Sequence, residues 1–227
     1  MAEMSNAMID KTNKFERIAM TLIALVAWFG LFLQFYLIMF DPMDSTVPAG
    51  QRFVNYFSYF TVLTNLIVAI SLTASFVSPA SAVGQFSSRT SVRAAVAVYI
   101  AVVGLVYSLL LRSVWDPEGL SLVADRVLHD AVPILYVLYW FIFVGKAELN
   151  WSTPAKWLLY PLLYMAYSLI RGAFVGWYPY HFADAAQLGY QVAIRNAALV
   201  VVGFFVVGVI FVGIGKLMSR TANSVAS

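Results

Sequence analysis

The chain has 227 residues, of which 62% are hydrophobic and 11% charged, with a mean hydropathy of +0.81 and a formal net charge of +3. A soluble domain is about 45 to 50% apolar and about 25% charged, so this composition excludes an ordinary soluble fold and reads as an integral membrane protein. Cysteine is absent, which excludes disulfides, thiolate metal sites and a cysteine nucleophile; the two histidines lie far apart, so no metal or other cofactor is expected, and the basic residues flank apolar runs instead of forming a nucleic-acid patch.

A helical crossing needs about 20 apolar residues. Six segments meet this, at 18–40, 53–76, 92–111, 127–144, 157–175 and 192–217. The polar stretch 1–16 precedes a first run too long for a signal-peptide core and without a clear cleavage site, so that run reads as a retained helix. Turn and breaker residues separate the runs: Asp41, Pro42 and Pro48; Ser78, Pro79 and Gly84; Asp116, Pro117 and Gly119; Asn150 and Pro154; and the stretch 179–189. None of these connections is long enough for a soluble domain. The predicted fold is therefore an all-α membrane protein, a single six-transmembrane-helix bundle over 1–227.

Lys and Arg in the short flanks set the predicted orientation. Lys11, Lys14, Arg17, Arg89, Arg93, Lys146, Lys156, Lys216 and Arg220 fall on one side, and Arg52, Arg112, Arg126, Arg171 and Arg195 on the other, which puts both termini in the cytoplasm. The outer side also carries the acids Asp41, Asp44, Asp116, Glu118, Asp125 and Asp184. Trp115, Trp151, Trp157 and Trp177 mark span ends, as an aromatic belt does. No internal repeat is evident, which weighs against an inverted-repeat transporter.

His129 stands near the start of the fourth apolar run, where an ionisable group costs at least about 2 to 3 kcal/mol unless it faces a partner or a wet cavity. Asp125 and His129 are four residues apart, as are Arg126 and Asp130, so Asp125 can orient the imidazole and Arg126 can neutralise Asp130. In the second run Asn55, Ser58, Thr61 or Thr64, and Asn65 recur at helical spacing and form a polar stripe. Such residues commonly tie membrane helices together. The fifth run adds Tyr160, Tyr164, Tyr167, Ser168 and Arg171, and the sixth adds Gln191, Arg195 and Asn196 near its start. Four helices thus bring polar groups to one depth, the outer half of the bilayer, which reads as one cavity. A Thr hydroxyl, a His able to take its proton, and Asn, Tyr or Arg donors suit nucleophilic catalysis, although no nucleophile-elbow signature accompanies Thr61.

Three stretches resemble the family of the androgen-induced protein and the androgen-dependent TFPI-regulating protein, with its bacterial six-helix relatives. They are Tyr59-Phe60-Thr61, His129 followed by Val132 and Pro133, and Gly176-Trp177-Tyr178-Pro179-Tyr180; by helix order the similarity covers most of the chain. The resemblance implies an intramembrane threonine hydrolase that cleaves fatty acid esters of hydroxy fatty acids or related lipid esters, needs no cofactor and resides in a bacterial plasma (inner) membrane. It implies Thr61 as nucleophile, with Thr64 one turn away as the competitor, and His129 as base. Asp125, Asp130, Asn65, Tyr164, Arg171 and Asn196 are the supporting candidates, as orienter, donors or carboxylate anchors. The expected partners are membrane lipids and the ester substrate. A non-catalytic lipid-binding or sensory bundle is the alternative; a transporter or channel is a weaker one, because every Lys and Arg lies toward a span end.

Overall fold

The computed structural model describes the backbone of residues 2–41, 46–146 and 148–226, and the side chains of 14–41, 46–146, 148–219 and Thr221. Asp44 lies outside the described residues, as do the side chains of Lys11 and Arg220. Among the described residues every regular element is helical, and six helices are long and apolar enough to cross a membrane. In chain order the helices are α1 (Ala2–Phe40), α2 (Ala49–Tyr56), α3 (Phe60–Val77), α4 (Ala82–Ser87) and α5 (Thr90–Val106), the last extended by a π-turn, Tyr107–Leu111. Next come α6 (Gly119–Arg126), a second π-turn (Val127–Ala131) and α7 (Val132–Phe143), which together make one continuous crossing. The chain ends with α8 (Thr153–Trp157), α9 (Leu159–Val175), α10 (Ala185–Leu188) and α11 (Tyr190–Ala226). Helices satisfy every backbone group internally, which is what hydrocarbon demands.

The third crossing is the most enclosed, 56% buried, followed by the second at 44%, so α5 and α3 form the centre of the bundle. The other four expose large apolar side chains such as Phe40, Ile142, Phe174 and Leu199 on the lipid side. Small residues allow the close approach that membrane helices need: Ala27, Ala69, Ala94 and Ala97 are fully buried. Hydrogen bonds add specific ties, from Trp28 Nε1 to Thr73 Oγ1 at 3.1 Å, Tyr56 OH to the Leu31 carbonyl at 2.8 Å and Tyr99 OH to the Trp157 carbonyl at 2.6 Å. At the start of the first span, Glu16 takes Arg93 at 2.8 Å and Tyr139 at 3.0 Å, joining α1, α5 and α7. Lys146 folds back and donates to the Trp140 and Phe141 carbonyls at 2.8 and 2.7 Å. It caps the end of α7, and burial pulls its ammonium below the usual lysine range.

Two helix boundaries depart from the sequence reading, and both matter for the site. The second crossing starts at Phe60, not at 53, because the helix breaks at Phe57 to Tyr59. There Ser58 Oγ donates to the Val54 carbonyl at 2.7 Å, and the Ser58 amide turns back to Asn55 at 2.9 Å, while Tyr164 from α9 donates to the Ser58 carbonyl at 2.9 Å. A serine bonded to the carbonyl four residues back competes with the helical ladder. The fourth crossing starts at Gly119, eight residues before the expected 127, so Asp125 and His129 lie well inside a helix.

The loop after α9 reaches back over this end of the bundle. Gly176, at φ +67°, ends α9 in the left-handed conformation that favours glycine. The Tyr178 ring then packs directly on the bare Cα of Gly172, where any Cβ would overlap it. Gly172→Ala is expected to displace this loop and cost about 1–3 kcal/mol by overpacking, whereas Gly203→Ala, within a helix and facing open space, does not lower stability. Thermal unfolding in detergent compares the two.

Candidate active site

The break before α3 places Thr61 in the first turn of a transmembrane helix, where backbone N–H groups have no partner within the helix. The Thr61 N–H donates to Tyr180 OH at 3.2 Å, and Thr61 Oγ1 lies 3.4 Å from the same phenol. On its other side Thr61 Oγ1 lies 3.3 Å from His129 Nε2. Thr61 is buried, at 8% exposed.

His129 lies in the π-turn of the fourth crossing, and its Nδ1 is 3.1 Å from Asp125 Oδ1 and 3.0 Å from the Asp125 carbonyl. Two acceptors around Nδ1 assign the proton to that nitrogen, which leaves Nε2 as the acceptor facing the threonine hydroxyl. Asp125 is 5% exposed and also accepts from Tyr107 OH at 2.6 Å. The Tyr107 ring lies flat on the imidazole, centroids 4.0 Å apart at 15°, so one residue holds both members of the pair. Tyr107 belongs to the other π-turn, and such one-residue insertions re-aim side chains at functional sites. Hydroxyl, imidazole and buried carboxylate thus form a chain in the order of a Ser-His-Asp triad, with threonine in the serine's place.

Asp130, one residue beyond His129, points away and pairs with Arg112 and, at 3.0 Å, with Arg126. Thr64 is fully buried and bonds Tyr160 OH at 3.1 Å, facing α9 and not the imidazole; of the two threonines, only Thr61 meets His129. Asn65 is a tie between helices, donating to the Thr61 carbonyl at 2.9 Å and the Leu128 carbonyl at 3.2 Å, so it fixes the turn that carries Thr61 against the one that carries His129. Tyr164 is taken up by the Ser58 carbonyl. Arg171 donates to Asn55 Oδ1 at 2.7 Å and stacks on Trp177, and Asn196 donates to the Phe182 carbonyl at 2.8 Å. Tyr164, Arg171 and Asn196 do not meet the Thr61–His129 pair, and Asn65 meets it only through the Thr61 backbone carbonyl.

The pair opens on a cavity of ≈ 470 Å³ whose wall includes Thr61, His129, Tyr180, Trp177, Asn55 and Arg52. That is within the range of small-molecule sites, about 300–1,000 Å³. Two residues of the site were missed in the sequence, Tyr107 and Tyr180. Burial pushes the Tyr180 phenol up, outweighing the hydrogen bonds from the Thr61 and Phe60 amides that lower it, so it remains protonated and has one O–H to give. The Thr61 N–H already donates to the phenol oxygen, which leaves the Tyr180 O–H as the donor able to meet a developing oxyanion at this helix N-terminus. Tyr180→Phe is expected to lower kcat by about 10²-fold or more through loss of one such donor; steady-state kinetics on an ester with normal folding by thermal unfolding checks it.

Among the described residues no three His, Asp or Glu side chains come together as a metal-ligand set. The chain matches no family model, no curated protein and no solved structure.

Proposed function

We propose that this protein is an intramembrane hydrolase of lipid or fatty esters, with Thr61 as nucleophile, His129 as general base and acid, and Asp125 as orienter. The observation that carries the reading is the alignment of Thr61 Oγ1, His129 Nε2, His129 Nδ1 and Asp125 Oδ1 at 3.3 and 3.1 Å along one wall of a cavity. A structural histidine needs one partner, whereas this one has its two nitrogens matched to an acceptor and a nucleophile.

In the reaction, Thr61 Oγ1 attacks the ester carbonyl carbon as His129 Nε2 takes the hydroxyl proton. Asp125 steadies the imidazolium through Nδ1. The carbonyl oxygen gathers negative charge beside the Tyr180 O–H, whose oxygen accepts from the Thr61 N–H. Collapse breaks the bond to the alcohol oxygen, which receives the proton from Nε2, and the acyl group stays on Thr61. Water then gives a proton to Nε2 and attacks the acyl carbon, and the released Thr61 oxygen recovers the proton as the carboxylic acid departs.

The three stretches that resemble threonine hydrolases of fatty acid esters of hydroxy fatty acids support the same roles for Thr61 and His129, and offer that ester class as substrate. The charge asymmetry of the flanks supports a site in the outer half of a bacterial plasma membrane with both termini cytoplasmic, reached by membrane lipids. Purified protein in lipid nanodiscs is expected to hydrolyse fluorogenic fatty esters. Stabilisation by such esters with no turnover over many hours would favour a lipid-binding bundle instead.

A further inference from the structure

The large cavity presents two polar side chains that the fold does not use. Gln34 and Ser121 lie in its wall with Thr61 and His129, and among the described residues neither makes a hydrogen bond through its side chain. Both are half-buried and stand within membrane crossings. An unpaired amide or hydroxyl is costly there, and it persists where it faces polar contents. Arg52 shares the wall but is engaged: its two Nη atoms donate to the Val47 and Met39 carbonyls at 2.9 and 3.1 Å, and its Nε is buried.

Both lie on the His129 side of the site. On α1, Gln34, Leu37, Ile38 and Asp41 recur at helical spacing in the cavity wall, so one face of this helix lines it. Glu16 meets Tyr139, and Gly30 packs on Leu128, so α1 and the fourth crossing run antiparallel. Gln34 is one turn beyond Gly30, about 6 Å along the axis, which brings it level with the turn that carries Asp125. Ser121 precedes Asp125 by one turn on that helix. Asp41 lies past the end of α1 and is exposed. The free groups around the Asp125 turn are therefore a neutral amide and a neutral hydroxyl.

We propose, building on the hydrolase reading above, that Gln34 and Ser121 bind free hydroxyls on the alcohol half of the substrate, so that fatty esters of polyols are favoured over those of plain alkyl alcohols. The group that protonates the leaving oxygen must reach it within hydrogen-bond distance. His129 is that group, so the alcohol half lies along the wall that His129 shares with Gln34 and Ser121. The amide accepts from one hydroxyl through Oε1 and donates to another through Nε2, and Ser121 Oγ can do both. A hydrocarbon alcohol leaves the two side chains unpaired and displaces whatever polar contents they faced.

The 1-glycerol ester of dodecanoic acid and 2-methylbutyl dodecanoate test this, because they share the acyl chain and differ only in carrying hydroxyls or methyl groups at the same positions of the alcohol. At equal mole fractions in nanodiscs the wild-type protein is expected to favour the glycerol ester in kcat/KM by about tenfold or more, since a site that hydrogen-bonds a substrate hydroxyl rejects the analogue lacking it. Gln34→Leu is expected to collapse that ratio toward one, and Ser121→Ala to lower it. A purely structural role would lower both rates together and leave the ratio in place. Equal kcat/KM on the two esters in the wild-type protein, preference for the 2-methylbutyl ester, or a ratio that Gln34→Leu leaves unchanged overturns the proposal while leaving Thr61 catalysis in place. Failure to cleave either ester, or any fluorogenic fatty ester, overturns the hydrolase reading and this selectivity with it. Where Gln34→Leu fails to fold, Gln34→Met keeps the side-chain length and reports the same ratio.

Discussion

Thr61→Ala is expected to lower the rate of ester hydrolysis by at least about 10³-fold while leaving the protein folded, with His129→Ala equally damaging and the double variant no worse than either. The argument rests on what each side chain does apart from catalysis. Among the described residues Thr61 Oγ1 makes two hydrogen bonds, at 3.3 and 3.4 Å, both long for a hydroxyl, so losing them costs little stability. Thr64 is the internal control. It is fully buried and bonded to Tyr160 at 3.1 Å, so Thr64→Ala is expected to lower the unfolding temperature by more than Thr61→Ala does and to retain turnover. Kinetics and thermal unfolding on the same three variants separate a nucleophile from a structural hydroxyl. Equal activity in Thr61→Ala and wild type would remove the mechanism.

The second large effect belongs to Asp125. Asp125→Asn preserves shape and leaves the backbone carbonyl 3.0 Å from Nδ1, but with Tyr107 OH donating to the amide oxygen its NH2 turns toward Nδ1, which favours the tautomer whose Nε2–H faces Thr61. A histidine in that state cannot accept the threonine proton, and a loss of about 10⁴-fold in kcat is expected, with KM changed much less. Tyr107 sharpens the point, because its hydroxyl, 2.6 Å from Asp125 Oδ2, occupies the other carboxylate oxygen and holds Oδ1 toward the imidazole. The check is kcat and KM for Asp125→Asn beside ¹⁵N chemical shifts of His129. Near-wild-type kcat with an unchanged tautomer would show that Asp125 is not the orienter.

Six apolar runs were legible because hydrocarbon imposes a length and a composition on each crossing. The pairing of Asp125 with His129 was legible because both lie on one helix, four residues apart, and so was Arg126 with Asp130. Arg112, the second partner of Asp130, comes from another crossing and left no local trace. The break at Phe57 to Tyr59 contains neither glycine nor proline. It depends on the Ser58 side chain and on Tyr164 arriving from α9, which are tertiary facts. That break separates Asn55 and Ser58 from Thr61 and puts Thr61 at a helix start, where its N–H is free to donate.

Tyr107 reads in the sequence as one aromatic in an apolar run, and its meeting with His129 depends on a π-turn that no residue pattern announces. Tyr180 lay within a turn that was singled out as Gly176 to Tyr180, yet nothing local shows a loop tyrosine folding back onto the start of α3. Asn65, Tyr164, Arg171 and Asn196 tie neighbouring segments together by hydrogen bonds, the commoner use of polar groups in membranes.

The central claim is that Thr61 becomes acylated. The direct measurement is intact and peptide mass spectrometry of protein rapidly quenched in acid during turnover of a slowly deacylating ester. The account predicts a mass increase equal to the acyl group on the peptide carrying Thr61, absent from Thr61→Ala and strongly reduced in His129→Ala. Turnover at the wild-type rate with no adduct at Thr61, or with the acyl group on Thr64, would contradict it.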